Sequence, residues 1–223
     1  MRPGGSQEIP RPPVWRSGGS TPWPHAVDAP VVALEPLLRA VAARGPGRAP
    51  LAELDDMRRS AVLVALYEGA RGAEVVLTRR ARHLRSHKGE VSFPGGRLDP
   101  GETPVEAALR EAHEEVCLDP ASVELVGELD HLATMVSRSH IVPVVGRLAA
   151  RPELRAGTSE VDRILYVPLA ELLRADTYRE EWWGSDEMSR VLHFFFLDDE
   201  TVWGATGRML TQLLSIATEV AAG

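Results

Sequence analysis

The sequence has few of the residues that would cross-link the chain or anchor it in a membrane. Cys117 is the only cysteine among 223 residues, which excludes an internal disulfide and a cysteine-cluster metal site and predicts a reducing, cytoplasmic location. No apolar run reaches the 18 residues of a membrane-spanning helix, and the first residues lack the charged-then-apolar order of a signal peptide. No membrane partner is therefore expected.

Positive charge is also scarce. The formal net charge is -7, and Lys88 is the only lysine. Proteins that bind nucleic acid by neutralising many phosphates are usually basic, so a nucleic-acid partner is not expected. A small anion needs only local positive charge, and a small-molecule substrate is therefore compatible with this composition.

Residues 1–30 are rich in residues that break helices and strands, with seven prolines and four glycines. The segment has no hydrophobic period, which predicts a flexible N-terminal arm without regular structure. The alternative is that Trp15 and Trp23 dock the arm onto the rest of the chain. Residues 31–223 are long enough for one domain with a single core.

Hydrophobic periodicity after residue 30 predicts an α+β fold with a mixed β-sheet, because strands and helices follow one another without strict alternation. Two β-rich runs are separated by the short turn EGARG and predict a hairpin. The aromatic run 194–196 is typical of a core strand. Helices are predicted at 31–44, 104–116 and 202–220, and strands at 60–67, 73–80, 90–93, 123–129, 141–148, 163–169 and 192–199.

The helix at 104–116 has the strongest local signals. Thr103 can cap its N-terminus, Pro104 suits the first helical position, and Glu106 completes a T-x-x-E capping box. Its end is marked by Pro120, two residues after the last apolar position.

Three glutamates, Glu111, Glu114 and Glu115, lie on nearly one side of this helix. Like charges at this spacing repel by about 0.2–0.5 kcal/mol per pair, and acids in the C-terminal half of a helix also oppose its dipole. A bound divalent cation would reverse the sign of this effect. The alternative is a solvated charged face in which Arg110 absorbs part of the repulsion.

The spacing of charged residues around this helix resembles the sequence box of the Nudix hydrolases. That box runs Gly, five residues, Glu, seven residues, Arg-Glu, two residues, Glu-Glu, one residue, Gly. The chain departs from it only at the last glycine, where Cys117 stands. A left-handed conformation there would cost a non-glycine residue about 1 kcal/mol. The matching positions are Gly96, Glu102, Arg110, Glu111, Glu114 and Glu115.

The resemblance implies a Nudix-like α/β/α sandwich and a metal-dependent hydrolase of diphosphates. Glu111, Glu114 and Glu115 would bind Mg²⁺ or Mn²⁺, and the Gly96 carbonyl would add a ligand. Glu102 and Arg110 would hold the glycine-rich loop against the helix. The general base would be Glu111 or Glu160, and for Glu160 an ordinary capping or exposed role is an equal alternative. Nudix enzymes are often dimers, so a homodimer is a further expectation.

Residues 76–96, VLTRRARHLRSHKGEVSFPGG, resemble the motif that precedes the box in the coenzyme A pyrophosphatases of this superfamily. The resemblance implies cleavage of CoA or its derivatives to 3′,5′-ADP and 4′-phosphopantetheine. Hydrolysis of another nucleoside diphosphate derivative, such as ADP-ribose or a dinucleotide, and nucleotide sensing without cleavage stay open. A solvated basic loop that pairs with the acidic helix is the simplest alternative. The residues predicted to bind substrate are Arg80, Arg85, Lys88 and Phe93.

Overall fold

The computed structural model describes residues 2–19, 21–23, 31–50, 56–84, 86–134, 137–185 and 189–222. Its helices are α1 (Leu34–Ala43), α2 (Pro104–Val116), α3 (Leu169–Leu172) and α4 (Gly204–Ala222), with a 3-10 turn at Pro120–Ser122. Its strands are β1 (Trp15–Ser17), β2 (Arg58–Gly69), β3 (Gly72–Arg80), β4 (Val91–Ser92), β5 (Gly95–Arg97), β6 (Val123–Glu128), β7 (Leu132–Thr134), β8 (Ser139–Leu148), β9 (Val161–Pro168), β10 (Tyr178–Trp183), β11 (Arg190–Phe196) and β12 (Thr201–Val202). Within these ranges, no helix has both the length and the apolar character needed to cross a membrane.

The larger sheet is mixed, as predicted from the sequence. β2 and β3 form the predicted antiparallel hairpin, while β2 also runs parallel to β8. The strand order along its main path is β4-β3-β2-β8-β6, with β5 paired to β2, β7 to β8 and β9 to β3. The pairing of β5 with the start of β2 brings the glycine-rich turn, which contains Gly95 and Gly96, next to the centre of the sheet.

The side chains of β2 alternate between two cores, because successive residues of a strand point to opposite faces. Leu63 and Tyr67 belong to one core, together with Ala108 and Ala112 of α2. Val64 and Leu66 belong to the other, which also contains residues of α1 and α4. Helices therefore cover both faces of the sheet, and the predicted α/β/α sandwich is confirmed.

A second, smaller sheet was not predicted. Its strand order is β1-β10-β11-β12, and β11 carries the aromatic run 194–196, whose predicted burial is confirmed. β10 has the sequence YREEWW and gives little strand signal, because two of its residues are acidic. Glu181 of β10 is nevertheless fully buried and pairs with Arg11 at 2.9 Å. A charge can be buried in this way only when a partner neutralises it.

Within the N-terminal arm, the described residues 2–19 and 21–23 include a strand and a docked tryptophan, which differs from the expectation of a segment without regular structure. β1 pairs with β10 over three residues, a contact that neither strand signals by itself. Trp23 is 3% exposed, stacks on Phe195, and contacts Tyr178 edge-on. Its Nε1 donates to the Leu173 carbonyl at 3.3 Å. Trp15 keeps 43% of its surface. Of the two tryptophans, Trp23 makes the buried contact.

Candidate functional site

The glycine-rich turn lies directly against α2, and glycine is required there by lack of space. A Cβ on Gly96 would meet the carboxyl carbon of Glu111 at 2.4 Å. A Cβ on Gly95, whose φ is +155°, would meet the Ala61 carbonyl oxygen at 2.4 Å. At Gly95 the clash is with backbone, so only glycine lets the turn approach the sheet this closely. At Gly96 a Cβ would displace the carboxylate of Glu111.

Helix α2 has the ends that the sequence predicts. The capping box is confirmed, because the Thr103 side chain accepts from the Glu106 N–H and the Glu106 side chain accepts from the Thr103 N–H. At the other end, Cys117 has φ 56° and ψ 31°, which is the left-handed conformation that glycine adopts more easily than other residues. The N–H groups of Arg155 and Gly157 donate to the last carbonyls of the helix, at 3.2 and 2.9 Å. Both ends are therefore fixed by hydrogen bonds.

Arg110 joins α2 to residues 97–102, the loop that follows the glycine-rich turn. Its Nε donates to Glu102 Oε1 at 2.9 Å and its Nη2 to Glu102 Oε2 at 3.1 Å. The same Nη2 donates to the carbonyl of Arg97 at 2.9 Å. These bonds, with the Asp99 N–H, hold the pKa of Glu102 below its usual value. The structure thus brings together the two residues that the resemblance pairs.

The three glutamates of α2 lie side by side but in different environments. Glu115 is 8% exposed, and burial raises its pKa to about 7, although the N–H of Gly95 donates to its Oε2 at 3.2 Å. Burial also raises the pKa of Glu111, against the opposing effect of Arg110. The side chain of Glu114 is 51% exposed. Two of the three carboxylates therefore carry a cost when they ionise, and nearby positive charge would lower that cost.

Arg110 supplies part of that positive charge. Its Nη1 donates to Glu111 at 3.0 Å and to Glu114 at 3.2 Å. Among the residues that the structure describes, no group of three or more His, Cys, Asp or Glu side chains is arranged to hold a metal ion. The donors are nevertheless carboxylate oxygens, which Mg²⁺ and Mn²⁺ prefer, and two of the carboxylates are largely withdrawn from water. The chemistry of the set therefore fits a divalent cation.

Glu160 and Arg80 form an ion pair that lies near Glu115. Arg80 Nη2 donates to Glu160 Oε2 at 3.3 Å, while Arg80 Nε is buried without a partner. The positive charge of Arg80 lowers the pKa of Glu115 and the negative charge of Glu160 raises it, so all three belong to one electrostatic neighbourhood. Glu160 itself keeps 53% of its side-chain surface. The predicted base candidates, Glu111 and Glu160, thus both lie close enough to Glu115 to raise its pKa.

In the basic loop 79–88, some of the arginines are already paired with other residues of the protein. Arg79 pairs with Asp162 at 2.7 Å and with Glu200, and Arg82 donates to Ser6. Lys88 is exposed. Arg85, predicted to bind substrate, lies outside the described residues.

The prediction that Phe93 binds substrate is wrong for its side chain, which is 1% exposed and belongs to the core cluster with α1 and α4. The adjacent Pro94 carbonyl accepts from the Leu63 N–H at 2.8 Å. Phe93 therefore anchors the glycine-rich turn to the sheet, because a buried ring holds its backbone in place.

Glu200 was missed by the sequence analysis. Its side chain is 1% exposed and accepts hydrogen bonds from Arg79, Arg163 and Gln7, which come from three separate parts of the chain. Its local sequence, LDDE, is typical of an exposed turn, and only the acid-rich composition of that turn gave any signal. Long-range pairing of this kind has no local pattern.

Comparisons with known proteins agree with this geometry. The family model described as NUDIX domain matches residues 57–192. The chain is 36% identical over 163 residues to the Enterobacter sp. (strain 638) protein named "Uncharacterized Nudix hydrolase NudL", covering 70% of this chain and 81% of that protein. It is 34% identical over 160 residues to "Nudix hydrolase 3" of Caenorhabditis elegans, covering 64% of this chain and 66% of that protein, just under two thirds of its length.

Among solved structures, the crystal structure of the M. smegmatis Nudix hydrolase RenU aligns over 52% of this chain and 73% of that chain, with 23% identity and a TM-score of 0.45. That likeness is too low to carry an argument about the site. The family match covers more than half of the chain and includes the glycine-rich turn, α2 and Glu160. The chain therefore belongs to the Nudix hydrolase family, whose members are pyrophosphohydrolases of nucleoside diphosphate derivatives.

Proposed function

We propose that the protein hydrolyses the diphosphate bond of coenzyme A or its derivatives, releasing 3′,5′-ADP and 4′-phosphopantetheine. The observation that carries the proposal is the position of Arg80. Its guanidinium lies beside Glu115 and Glu160, yet its buried Nε has no partner. A phosphate oxygen would satisfy that donor, because guanidinium groups bind phosphates through paired N–H groups.

The metal ligands in this proposal are Glu111, Glu114, Glu115 and the carbonyl of Gly96. A Mg²⁺ or Mn²⁺ ion held there would neutralise diphosphate oxygens and lower the pKa of a bound water. The chain's own contribution is the placement of these carboxylates, which Arg110 and the capped helix hold beside the glycine-rich turn.

The general base in this proposal is Glu111 or Glu160. Burial raises the pKa of Glu111, which makes its carboxylate a better proton acceptor than an exposed one. Glu160 is more exposed than Glu111, and its carboxylate forms an ion pair with Arg80 at 3.3 Å. Glu160→Gln distinguishes them, because Glu111 is also a metal ligand in this proposal and its loss would lower kcat in either role. If Glu160 is the base, Glu160→Gln lowers kcat with little effect on substrate binding, and if Glu111 is the base, kcat stays near wild type.

The preference for CoA rests on the motif at 76–96 and on the cations within it. Arg80 and the exposed Lys88 are available to an anion, whereas Arg79 is paired within the protein. CoA carries a 3′-phosphate in addition to its diphosphate, so it offers more negative charge to such a loop than ADP-ribose does. We also retain the cytoplasmic location and the homodimer predicted from the sequence as parts of this proposal.

The test is a substrate panel of CoA, dephospho-CoA, ADP-ribose and NADH, assayed with Mg²⁺ and then with Mn²⁺, with products identified by mass. We expect CoA to have the highest kcat/KM, and about a 10- to 100-fold preference over dephospho-CoA, since a charged hydrogen-bonded contact contributes about 1.5–3 kcal/mol. Lys88→Ala should remove much of this preference. Fast hydrolysis of ADP-ribose without CoA cleavage would assign the chain to another substrate.

A catalytic control separates hydrolysis from nucleotide sensing. Glu114→Gln should lower kcat by at least ~10³-fold while the fold is retained, because charge stabilisation by a metal ion contributes several kcal/mol. Tight CoA binding by the wild-type protein without cleavage under either metal would favour a sensor over an enzyme.

A further inference from the structure

Residues 4–7 lie next to the basic loop 79–88 and to the turn that carries Glu200. The N–H of Gly4 donates to the Leu197 carbonyl at 2.9 Å, and the N–H of Gly5 donates to Thr201 Oγ1 at 3.0 Å. A Cβ on Gly5 would meet the backbone around Glu200 at 2.7–2.8 Å, so glycine permits this close approach. The side chains of the next two residues then contact charged groups: Ser6 contacts Arg82 of the loop, and Gln7 contacts Glu200.

Gln7 completes the environment of the buried carboxylate of Glu200. Its Nε2 donates to Glu200 Oε2 at 2.5 Å, and its Oε1 accepts from the Thr201 N–H at 3.1 Å. The other Glu200 oxygen accepts from Arg79 at 2.5 Å and from Arg163 at 2.9 Å. A buried carboxylate is tolerated only when its lone pairs are satisfied, so loss of Gln7 should loosen the whole group, Arg79 included.

Ser6 makes the second contact with the loop, since its Oγ accepts from Arg82 Nη2. Arg82 therefore contacts the N-terminal segment directly, whereas Arg79 is connected to it through Glu200, whose carboxylate also accepts from Gln7. The two arginines lie on either side of Arg80 in the chain. A register shift in the pairing of β3 with β9 falls between Arg79 and Arg80. Such an irregularity turns neighbouring side chains in different directions: here Arg79 reaches Glu200, whereas Arg80 reaches Glu160.

We propose that residues 4–7 are a positioning element of the substrate site: by holding Arg79 and Arg82 they fix the direction of Arg80 and so set the affinity for an anionic substrate. Fixing the residues on both sides of Arg80 removes conformational freedom before binding, and preorganisation of this kind strengthens binding. Because Ser6 and Gln7 bond to Arg82 and Glu200 and not to Glu111 or Glu160, the effect falls on KM and leaves kcat nearly unchanged.

The inference rests on the proposed function only for the anionic nature of the substrate. It is therefore tested on whichever diphosphate of the panel the wild-type protein cleaves best, so that a failure of the CoA assignment does not decide it. The variants are Ser6→Ala, Ser6→Thr and Gln7→Ala. Glu8→Ala is the matched control, because Glu8 is an exposed neighbour in the same segment.

The kinetic readout is the separation of KM from kcat, measured well below the melting temperature of each variant. Gln7→Ala should raise KM about tenfold, as expected for loss of one buried hydrogen bond to a charged group. Ser6→Ala should raise KM about two- to fivefold, because the Ser6–Arg82 bond is exposed. In both variants kcat should stay within about twofold of wild type. Ser6→Thr keeps the hydroxyl and should restore the wild-type KM, and Glu8→Ala should leave it unchanged. Should Gln7→Ala fail to fold, the Ser6 pair decides by itself.

A second readout does not depend on activity. Trypsin cleaves after arginine and lysine, so its cuts within residues 79–88, located by mass, report how often the loop opens. Ser6→Ala should be cut there about fivefold faster than wild type, and Ser6→Thr and Glu8→Ala at the wild-type rate. Wild-type KM in Ser6→Ala and Gln7→Ala overturns the proposal, even with faster cleavage, because the segment would then hold the loop without influencing substrate.

Discussion

Replacement of Glu115 by glutamine should stabilise the metal-free protein at alkaline pH. The carboxyl is 8% exposed and its pKa is raised to about 7, mainly by burial, from an ordinary value of 4.5. Because one pKa unit corresponds to 1.36 kcal/mol, ionised Glu115 destabilises the folded state by about 3 kcal/mol. The amide oxygen of glutamine can still accept from the Gly95 N–H, while burial of its NH₂ group costs on the order of 1 kcal/mol. The net gain is about 2 kcal/mol.

The sign of this effect depends on pH. Below pH 4.5 the carboxyl is protonated in both the folded and the unfolded chain, so its ionisation costs nothing. Between pH 4.5 and about 7 only the unfolded chain ionises freely, and the cost grows; above pH 7 it is fully present. The glutamine variant should therefore be more stable than wild type at pH 8 and show no gain at pH 5.

Urea unfolding in EDTA at pH 5 and pH 8 measures this difference. Glu114→Gln is the matched control, since that side chain is 51% exposed and its pair with Arg110 contributes about 0–1 kcal/mol. Adding Mg²⁺ should reverse the order at pH 8, because an ion that binds the carboxylate stabilises only the wild type. If Glu115→Gln is no more stable than wild type at pH 8, or if the difference between them does not change with pH, burial of an ionised carboxylate is refuted.

Two further predictions concern stability, each with its own control. Cys117→Gly should stabilise the protein by up to ~1 kcal/mol, because φ is 56° at this position, whereas Cys117→Ala keeps a Cβ and should bring no gain in chemical denaturation. Trp23→Ala should destabilise by about 3–5 kcal/mol, because its ring is 3% exposed, while Trp15→Ala, at 43% exposure, should cost less than about 1 kcal/mol. Equal melting temperatures for these two variants would contradict the docking of Trp23.

The sequence alone determined the features that depend on neighbours in the chain. The capping box of Thr103 and Glu106 and the hairpin of β2 and β3 follow from residues within a few positions of one another. Hydrogen bonds and steric limits at that range act in any tertiary context, so local patterns report them faithfully. The three glutamates on one side of α2 follow in the same way from helical geometry.

The difference between Glu115 and Glu114 needed the tertiary structure. On the helix they are neighbours, yet one is buried under the glycine-rich turn and the other is half exposed. Which side of a polar face is covered depends on where a distant loop packs, and the helix sequence carries no record of it. Desolvation then raises the pKa of Glu115.

Only the tertiary structure decided which cations are paired with carboxylates of the same protein. In the sequence, Arg79 and Arg80 are equivalent cations. In the structure, Arg79 pairs with the buried Glu200, 121 positions away, whereas Nε of Arg80 has no partner. The docking of Trp23 and the burial of Phe93 were decided in the same way. Each depends on a contact between segments far apart in the chain, whose free energy comes from burial and charge pairing and has no local period.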